Sequence, residues 1–306
     1  RWQMRWITRL MPGPRGVDRW RSEVAGIAVE RLEPPAPRRS TEILYLHGGG
    51  YCLGSIGTHR SLAARIGRAT ACRVVLPDYP LAPEHPFPAA LDAVAEVYRW
   101  MRRESGPDGE IFFAGDSAGG GLALALIERL RGETPGAAGA ICLSPWTDLT
   151  LSGVPRDPEP IGDPMITPED ARRLAALYAG GHDLRDPLIS PLYADPAGLP
   201  PLLVQVGTRE ILRADSLRLV DRARAAGVDV TLQEEAGLMH AWQAFAPYIP
   251  EANRAIASIG TWVESRARSA RVEPTPRAPA HCERARREPT GAGPAQREAP
   301  DGEPTR

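Results

Sequence analysis

The chain has 306 residues, of which 42% are hydrophobic, and carries a formal net charge of −1 at pH 7. A chain of this size can bury a large core, and none of its apolar stretches reaches the roughly 18 consecutive apolar residues of a membrane-spanning helix. Because the net charge gives no general attraction to nucleic acids or anionic membranes, we expect a small neutral substrate, no nucleic-acid partner and no stable membrane insertion.

The four cysteines, Cys52, Cys72, Cys142 and Cys282, are spread over most of the chain. Their spacing matches neither a metal site nor the compact disulfide framework of a small secreted protein. We therefore expect no metal at these residues and a reducing, cytoplasmic location.

Both ends of the chain differ in composition from the middle. Trp2, Trp6 and Leu10 recur at helical spacing beside arginines, which predicts a short amphipathic helix. We interpret residues 1–22 as a partial N-terminal cap segment over the mouth of the site, with attachment to a membrane surface as the alternative. Residues 266–306 are rich in Pro, Arg, Glu, Gly and Ala, a composition typical of a disordered tail.

Between the ends, apolar runs alternate with helical patterns, which is typical of an α/β protein with a mostly parallel central sheet flanked by helices. The apolar runs predict strands at residues 43–46, 74–76, 111–114, 140–143, 202–206 and 228–232. The helical patterns predict helices at residues 62–69, 89–103, 122–131, 216–226 and 250–266. From about residue 149 to 198 the alternation breaks, with one short helix at 168–178, and we interpret this interval as a helical cap or lid inserted into a catalytic domain of residues 23–265.

The glycine run at residues 47–50, His-Gly-Gly-Gly, follows the first of these strands. Ester cleavage builds negative charge on the carbonyl oxygen, and glycines allow backbone N–H groups to point at that oxygen. A phosphate cradle is the alternative, but a P-loop needs a lysine and the chain contains none. We predict an oxyanion loop here and a structural, hydrogen-bonding role for His47.

The strand at 111–114 leads into residues 115–119, Gly-Asp-Ser-Ala-Gly, and then into a helix. The order strand, tight turn, helix is typical of a nucleophile elbow, in which the amide of the next residue, here Ala118, completes the oxyanion hole. Side chains two positions before and after the serine would collide with the backbone, and both positions hold glycine. A chance turn of small residues has the same pattern, so Ser117 needs a base and an oxyanion loop to qualify as the nucleophile.

Six histidines are candidates for the general base. In hydrolases with this elbow the histidine follows the nucleophile in the chain, which leaves His182, His240 and His281. The first lies in the predicted lid and the last in the predicted tail, whereas His240 follows the last predicted strand. We therefore predict His240 as the base, with a surface-loop histidine as the alternative.

Two carboxylates compete for the third position of a catalytic triad, Glu210 and Asp215. Glu210 lies in the loop directly after the strand 202–206, whereas Asp215 is placed to cap the next helix together with Ser216. The acid holds the imidazole tautomer and balances the imidazolium charge, and glutamate can do this as well as aspartate. We favour Glu210 and keep Asp215 as the alternative.

Together these motifs closely resemble the hormone-sensitive-lipase-like branch of the α/β hydrolases, a group of bacterial esterases and acetyl hydrolases. The resemblance runs from about residue 23 to 265 and includes further motifs at residues 81–86 (Leu-Ala-Pro-Glu-His-Pro), 144–148 (Ser-Pro-Trp-Thr-Asp) and 186–188 (Asp-Pro-Leu). It implies the α/β-hydrolase fold, and it assigns these residues: nucleophile Ser117, base His240, and oxyanion amides Gly49, Gly50 and Ala118.

The chain departs from the family pattern in three places. Residues 210–214 are Glu-Ile-Leu-Arg-Ala where many relatives have Asp-Pro-Leu-Arg-Asp, which resembles the members that use glutamate and supports Glu210. Tyr79-Pro80 replaces the usual Tyr-Arg, and the N-terminal cap is short for the family.

We expect a serine carboxylesterase that hydrolyses short- to medium-chain carboxylic esters through an acyl-serine intermediate, without metal or cofactor. A lactonase or amidase with the same triad is the alternative among enzymes, and a catalytically silent ligand-binding protein of the same fold is the alternative outside them. Tyr51, Trp146 and Trp242 are candidate pocket-lining residues. The bulk of Trp146, Tyr178 and Trp242 favours short acyl chains if they border the pocket, and a place in the core is the alternative for each of them. By analogy with the family, we expect a homodimer.

Overall fold

The computed structural model describes residues 13–133, 135–154 and 162–268, together with the backbone of residues 283–284. The predicted N-terminal amphipathic helix, His281, Cys282 and most of the predicted tail lie outside the described residues. Within them, no helix combines the length and the apolar character needed to cross a lipid bilayer.

A single sheet forms the centre of the described structure. Its strands are β1 (Asp18–Val24), β2 (Ile27–Glu33), β3 (Thr41–Leu46), β4 (Arg73–Pro77), β5 (Glu110–Asp116), β6 (Gly139–Leu143), β7 (Leu202–Gly207), β8 (Val230–Glu235) and β9 (Glu283–Arg284). In space they follow the order β8-β7-β6-β5-β3-β4-β2-β1-β9. The pairs from β8 to β4 are parallel, whereas β2, β1 and β9 pair antiparallel at one edge. The mostly parallel sheet expected from the alternating pattern is confirmed.

The α-helices are α1 (Ile56–Thr70), α2 (Ala89–Ser105), α3 (Ala118–Arg129), α4 (Pro168–Ala179), α5 (Arg213–Ala225) and α6 (Pro250–Glu264). Five helices, α1 to α5, lie between consecutive parallel strands, as parallel pairing requires, and α6 follows the last parallel strand. Each overlaps a helix predicted from the sequence. The largest difference is at α1, which starts before its apolar periodicity because Ser55 and Thr58 form a reciprocal capping box.

The hairpin of β1 and β2 was not predicted, because neither strand forms a continuous apolar run. In these two strands charged residues interrupt the apolar ones, and in β2 the charged Glu30 is buried together with Val29 and Leu32. Ala25 and Gly26, with φ of 51° and 79°, form the tight turn between them. The strand β1 begins at Asp18, within residues 1–22, the segment predicted to be a partial N-terminal cap.

Two apolar layers cover the two faces of the sheet. Successive residues of one strand point into opposite layers. Phe112 of β5 packs in the cluster that contains α1 and α6, whereas Phe113 packs in the cluster that contains α2, α3 and α4. Side chains of α5 form a third cluster with β6 and β7. The sheet is therefore held rigidly, and the loops at the carboxyl ends of β3, β5, β6 and β7 are the place where a site can form.

The contact between α1 and α6 generates a stability prediction. A Cβ atom added to Gly260 of α6 would lie 2.5 Å from the carbonyl oxygen of Ala69 in α1. Although Gly→Ala in a helix normally stabilises, we expect Gly260→Ala to lower the free energy of unfolding by about 1–3 kcal/mol, because the two helices must separate. Urea denaturation of the variant measures this change.

Gly57→Ala is the matched control, since Gly57 is exposed in α1 and a Cβ there meets no atom closer than 3.5 Å. This control should be neutral or stabilising by up to about 1 kcal/mol. Equal effects of the two substitutions would show that helix propensity and not the interhelical contact decides the outcome.

Candidate active site

Ser117 lies at the turn between β5 and α3 with φ 54° and ψ −124°. A Cβ on Gly119 would collide with the carbonyl oxygen of Leu46, and a Cβ on Gly115 would collide with the backbone of Gly119. The turn therefore tolerates only glycine at both places, as the five-residue pattern predicts. Ser117 N donates to Leu143 O at 2.8 Å, which fixes this unusual conformation against β6.

Glu210 and His240 form a buried pair. His240 Nδ1 lies 2.7 Å from Glu210 Oε2, and both residues are at most 4% exposed. The other carboxylate oxygen, Oε1, accepts from Gly207 N at 2.6 Å and from Ser144 Oγ at 2.9 Å. The Ser144 hydroxyl in turn accepts from Ala241 N at 3.1 Å, so it links the acid to the backbone beside the histidine.

The charge of Glu210 decides how His240 titrates. Burial lowers the pKa of His240, but the hydrogen bond and the negative charge of Glu210 outweigh burial, so the pKa is raised above its ordinary value of 6.5. A proton on the imidazole is thereby stabilised, which a general base requires.

Asp215, the alternative acid, has another function in the fold. Its Oδ2 accepts from Thr147 N at 3.0 Å and Asp148 N at 2.8 Å, which anchors the loop after β6. It does not cap α5 as predicted, because the residue at the N-cap is Leu212 and Asp215 lies inside the first turn. The structure brings Glu210, and not Asp215, to His240.

The loop of residues 47–50 faces the elbow. Gly49 and Gly50 have φ of 117° and 59°. Gly48 N donates to Asp116 Oδ1 at 3.1 Å, so the residue before Ser117 holds the loop. In the described part of the chain no hydrogen bond is donated by the amides of Gly49, Gly50 or Ala118.

Gly50 lies under the lid helix α4. A Cβ on Gly50 would lie 2.6 Å from Leu174 Cδ1. About one turn further along α4, Tyr178 stacks on Tyr51 with 3.7 Å between the ring centroids. The predicted lid insertion thus packs on the loop that carries the candidate oxyanion amides.

A buried polar cluster supports this loop from below. Asp116 Oδ2 lies 3.2 Å from His59 Nε2, and Asp116 Oδ1 accepts from Tyr45 Oη at 2.7 Å. Burial raises the pKa of Asp116, but the charge and hydrogen bond of His59 and the bond from Tyr45 outweigh it and lower the pKa to about 2. The ion pair thus keeps a negative charge below the loop, where Gly48 N binds it.

His47 belongs to the same cluster and fits the structural function expected for it. Its ring stacks on Tyr79 at 4.2 Å, and Tyr79 Oη donates to the His47 carbonyl at 2.6 Å. Burial and the neighbouring His59 lower the pKa of His47 to about 3, so the ring stays neutral.

The three aromatic residues predicted to line a pocket are all buried. Tyr51 and Trp146 are 1% and 3% exposed in the cluster beneath the lid helix. Trp242 is 1% exposed and packs on the other face of the sheet with α1 and α6. Contact of these side chains with a substrate remains a prediction.

Comparison with known proteins gives an independent observation. A family model described as the alpha/beta hydrolase fold matches residues 43–244. The chain belongs to the alpha/beta hydrolase family. The hydrolase is similar to an acetyl-hydrolase of Streptomyces hygroscopicus, with 40% identity over 232 residues that cover 76% of this chain and 78% of the relative.

Solved structures agree with this assignment. The hydrolase superimposes on an esterase from the bacterial hormone-sensitive lipase family with a TM-score of 0.82 and 42% identity, covering 87% of this chain and 90% of that chain. It superimposes on EstE5 soaked with p-nitrophenyl butyrate with a TM-score of 0.81 and 39% identity, at 87% and 90% coverage. The resemblance inferred from the motifs is confirmed.

Sequence reasoning missed two residues that support the site of the hydrolase. Ser144, which binds Glu210, belongs to the Ser-Pro-Trp-Thr-Asp run at the carboxyl end of β6, and its position there was the available signal. The second residue is His59, whose contact with Asp116 was not predicted because the two residues are 57 positions apart in the chain.

Replacing Asp215 by asparagine should flatten the pH dependence of stability. Burial raises the pKa of Asp215 from 3.8 to about 7, so the folded hydrolase retains a proton that the unfolded chain releases between these pH values. The free energy of unfolding of the wild type should therefore fall as the pH rises through this window, and Asp215→Asn should lack this decline. Urea denaturation between pH 4 and about 7 measures both slopes.

The same substitution at Asp221, an exposed residue of α5, is the control and should leave the slope unchanged. Identical slopes for wild type and Asp215→Asn would contradict the buried, proton-retaining carboxyl.

Proposed function

We propose that the protein is a serine carboxylesterase that hydrolyses short- to medium-chain carboxylic esters through an acyl-serine intermediate. The observation that carries this proposal is the buried hydrogen bond of 2.7 Å between Glu210 Oε2 and His240 Nδ1. Both residues follow parallel strands at the carboxyl edge of the sheet, the edge at which the elbow of Ser117 follows β5. In this proposal Ser117 is the nucleophile, His240 the general base and Glu210 the acid.

The acylation step uses the ring nitrogen that Glu210 does not bind. Ser117 Oγ attacks the ester carbonyl carbon while His240 Nε2 takes the hydroxyl proton, and the imidazolium then gives this proton to the departing alcohol. In deacylation, water loses a proton to Nε2, attacks the acyl carbon and releases the carboxylic acid and the Ser117 hydroxyl. Glu210 keeps the proton of Nδ1 in place and stabilises the imidazolium in both steps.

The amides of Gly49, Gly50 and Ala118 are the proposed donors to the oxyanion of each tetrahedral intermediate. The positive φ of both glycines and the absence of donated hydrogen bonds from these amides within the described residues support this assignment. Asp116 holds the loop from its other end through Gly48 N, so the donors are in place before the substrate arrives.

The substrate class follows from the relatives and from the lid. The similar proteins include an acetyl-hydrolase and EstE5 soaked with p-nitrophenyl butyrate, which supports acyl chains of two to four carbons. Leu174 approaches Gly50 closely, so the lid helix leaves limited room above the proposed oxyanion hole. Residues 149–198 are the proposed lid.

Two further proposals concern the surroundings of the enzyme. We propose a cytoplasmic location, because two buried cysteines, Cys72 and Cys142, are free thiols. We propose a homodimer through β8, an edge strand of the sheet, by analogy with the family.

Ser117→Ala should abolish turnover of p-nitrophenyl acetate and butyrate, because the nucleophile is lost. The matched control is Ser22→Ala in β1, which should retain full activity. Labelling of folded wild-type protein by a fluorophosphonate probe, absent in Ser117→Ala, tests the serine directly.

Retained turnover in Ser117→Ala would overturn the proposal. Lack of labelling in the wild type would favour a silent ligand-binding protein, and faster turnover of a lactone or an anilide than of any p-nitrophenyl ester would favour a lactonase or amidase.

Glu210→Gln should lower kcat by about 10⁴-fold, since glutamine neither fixes the imidazole tautomer nor balances the imidazolium charge. Asp215→Asn, the same chemical change five residues on, should cost far less because its partners are the Thr147 and Asp148 amides. Steady-state kinetics on p-nitrophenyl butyrate compare the two. A larger loss in Asp215→Asn would transfer the acid assignment to Asp215.

A further inference from the structure

Asp163 connects the lid insertion with the loop of the proposed acid. Its Oδ1 accepts from Met165 N at 2.8 Å and Ile166 N at 3.2 Å, and its Oδ2 accepts from Ile211 N at 3.0 Å. The first two amides lead into α4, whereas Ile211 directly follows Glu210. One carboxylate therefore binds two segments that lie 48 residues apart in the chain.

The loop that carries Glu210 is held from two sides. On one side, Arg209 N donates to Leu238 O at 2.9 Å, in the loop that leads to His240. On the other side, Arg209 Nη2 donates to the carbonyl of Gly162 at 3.4 Å. The residues before and after Glu210 are thus both bonded to residues 162–163.

The amide of Ile211 needs an acceptor from outside α5. Ile211 is buried and precedes the N-cap of α5, Leu212, whose side chain caps nothing. Because Ile211 lies before the helix, the hydrogen bonds within α5 do not include its amide, and a buried amide without an acceptor is costly. Asp163 supplies that acceptor from the insertion.

The charge of Asp163 also acts on the histidine. Three carboxylates face His240: Glu210 from the loop after β7, Asp163 from the insertion and Asp116 from the end of β5, where His59 pairs with it. Burial lowers the pKa of His240, and these carboxylates together raise it.

We infer that Asp163 is a positioning residue of the hydrolase, which fixes the amide beside Glu210 so that the Glu210–His240 pair keeps its geometry, and which places an anion near the imidazolium. The inference rests on the proposed function, since Asp163 acts through the proposed acid and base and does not itself contact the reacting atoms.

Asp163→Asn tests the inference because it keeps the shape of the side chain and removes its charge. We expect kcat on p-nitrophenyl butyrate to fall on the order of tenfold, the size of effect seen when a residue that orients a functional side chain is lost. The acid limb of the pH profile of kcat/KM should move to lower pH, because the imidazolium loses a neighbouring anion and deprotonates more easily. A residue that only stabilised the fold would not move this limb.

Asp170→Asn is the matched control. Asp170 lies in the first turn of α4, is exposed, and binds Thr167 Oγ1 at 2.6 Å. The same charge is removed from the same insertion, and both kcat and the acid limb should stay at their wild-type values. Asp163→Glu, which keeps the charge but lengthens the side chain, should restore the acid limb and leave kcat reduced.

An NMR titration of the His240 ring in Ser117→Ala and in Ser117→Ala/Asp163→Asn gives a readout without turnover. A lower titration midpoint of His240 in the double variant supports the inference even where esterase activity is absent. Failure of the proposed esterase function can therefore be distinguished from failure of the inference about Asp163. Coincident titration curves, or an unchanged acid limb and a kcat within about twofold of wild type in a folded Asp163→Asn protein, would overturn it.

Discussion

The approach of the Gly119 backbone to the end of β3 determines where the elbow lies relative to the glycine loop. A Cβ added to Gly119, at the start of α3, would lie 2.6 Å from the carbonyl oxygen of His47, so only glycine permits this approach. Ser117 therefore lies beside the glycine loop, and Asp116 reaches Gly48 N from the same turn. One steric condition and one hydrogen bond thus bring the proposed nucleophile and the proposed oxyanion donors together.

The buried carboxylates Glu210, Asp116 and Asp215 differ in which groups balance their negative charge. This difference distinguishes the proposed catalytic acid from carboxylates that stabilise the fold. Glu210 has a histidine on one oxygen and two neutral donors on the other, so its charge is available to stabilise an imidazolium. Asp116 is balanced by His59 and holds a backbone loop. Asp215 accepts from two amides, no cation among the described residues lies within hydrogen-bond distance of it, and burial raises its pKa. Burial alone therefore does not identify a candidate catalytic acid. The group that the carboxylate binds, here the His240 ring of Glu210, is the informative observation.

Sequence patterns predicted the elements whose signals are local. The elbow could be predicted because its turn excludes side chains at two fixed positions, and strands β3 to β7 could be predicted because both of their faces are buried and read as apolar runs. The β1–β2 hairpin could not be found in this way, since charged residues interrupt its apolar ones and no apolar run forms. Glu210 was preferred over Asp215 from its place directly after β7, and the structure brings it to His240. Ser144, His59 and Asp163 depend on partners that are distant in the chain, so no local pattern could have shown what they bind.

The contact between Gly50 and Leu174 has a consequence for the variation that this enzyme can tolerate. At φ 59° the backbone of residue 50 would still accept asparagine, but its Cβ would fall on the Leu174 side chain. In a mutant library that randomises position 50 alone, active variants should therefore carry glycine there. A library that also replaces Leu174 by a smaller residue should yield active variants with a side chain at position 50. The glycine motif and the lid helix are therefore coupled positions, and redesign of the acyl pocket has to change them as a pair.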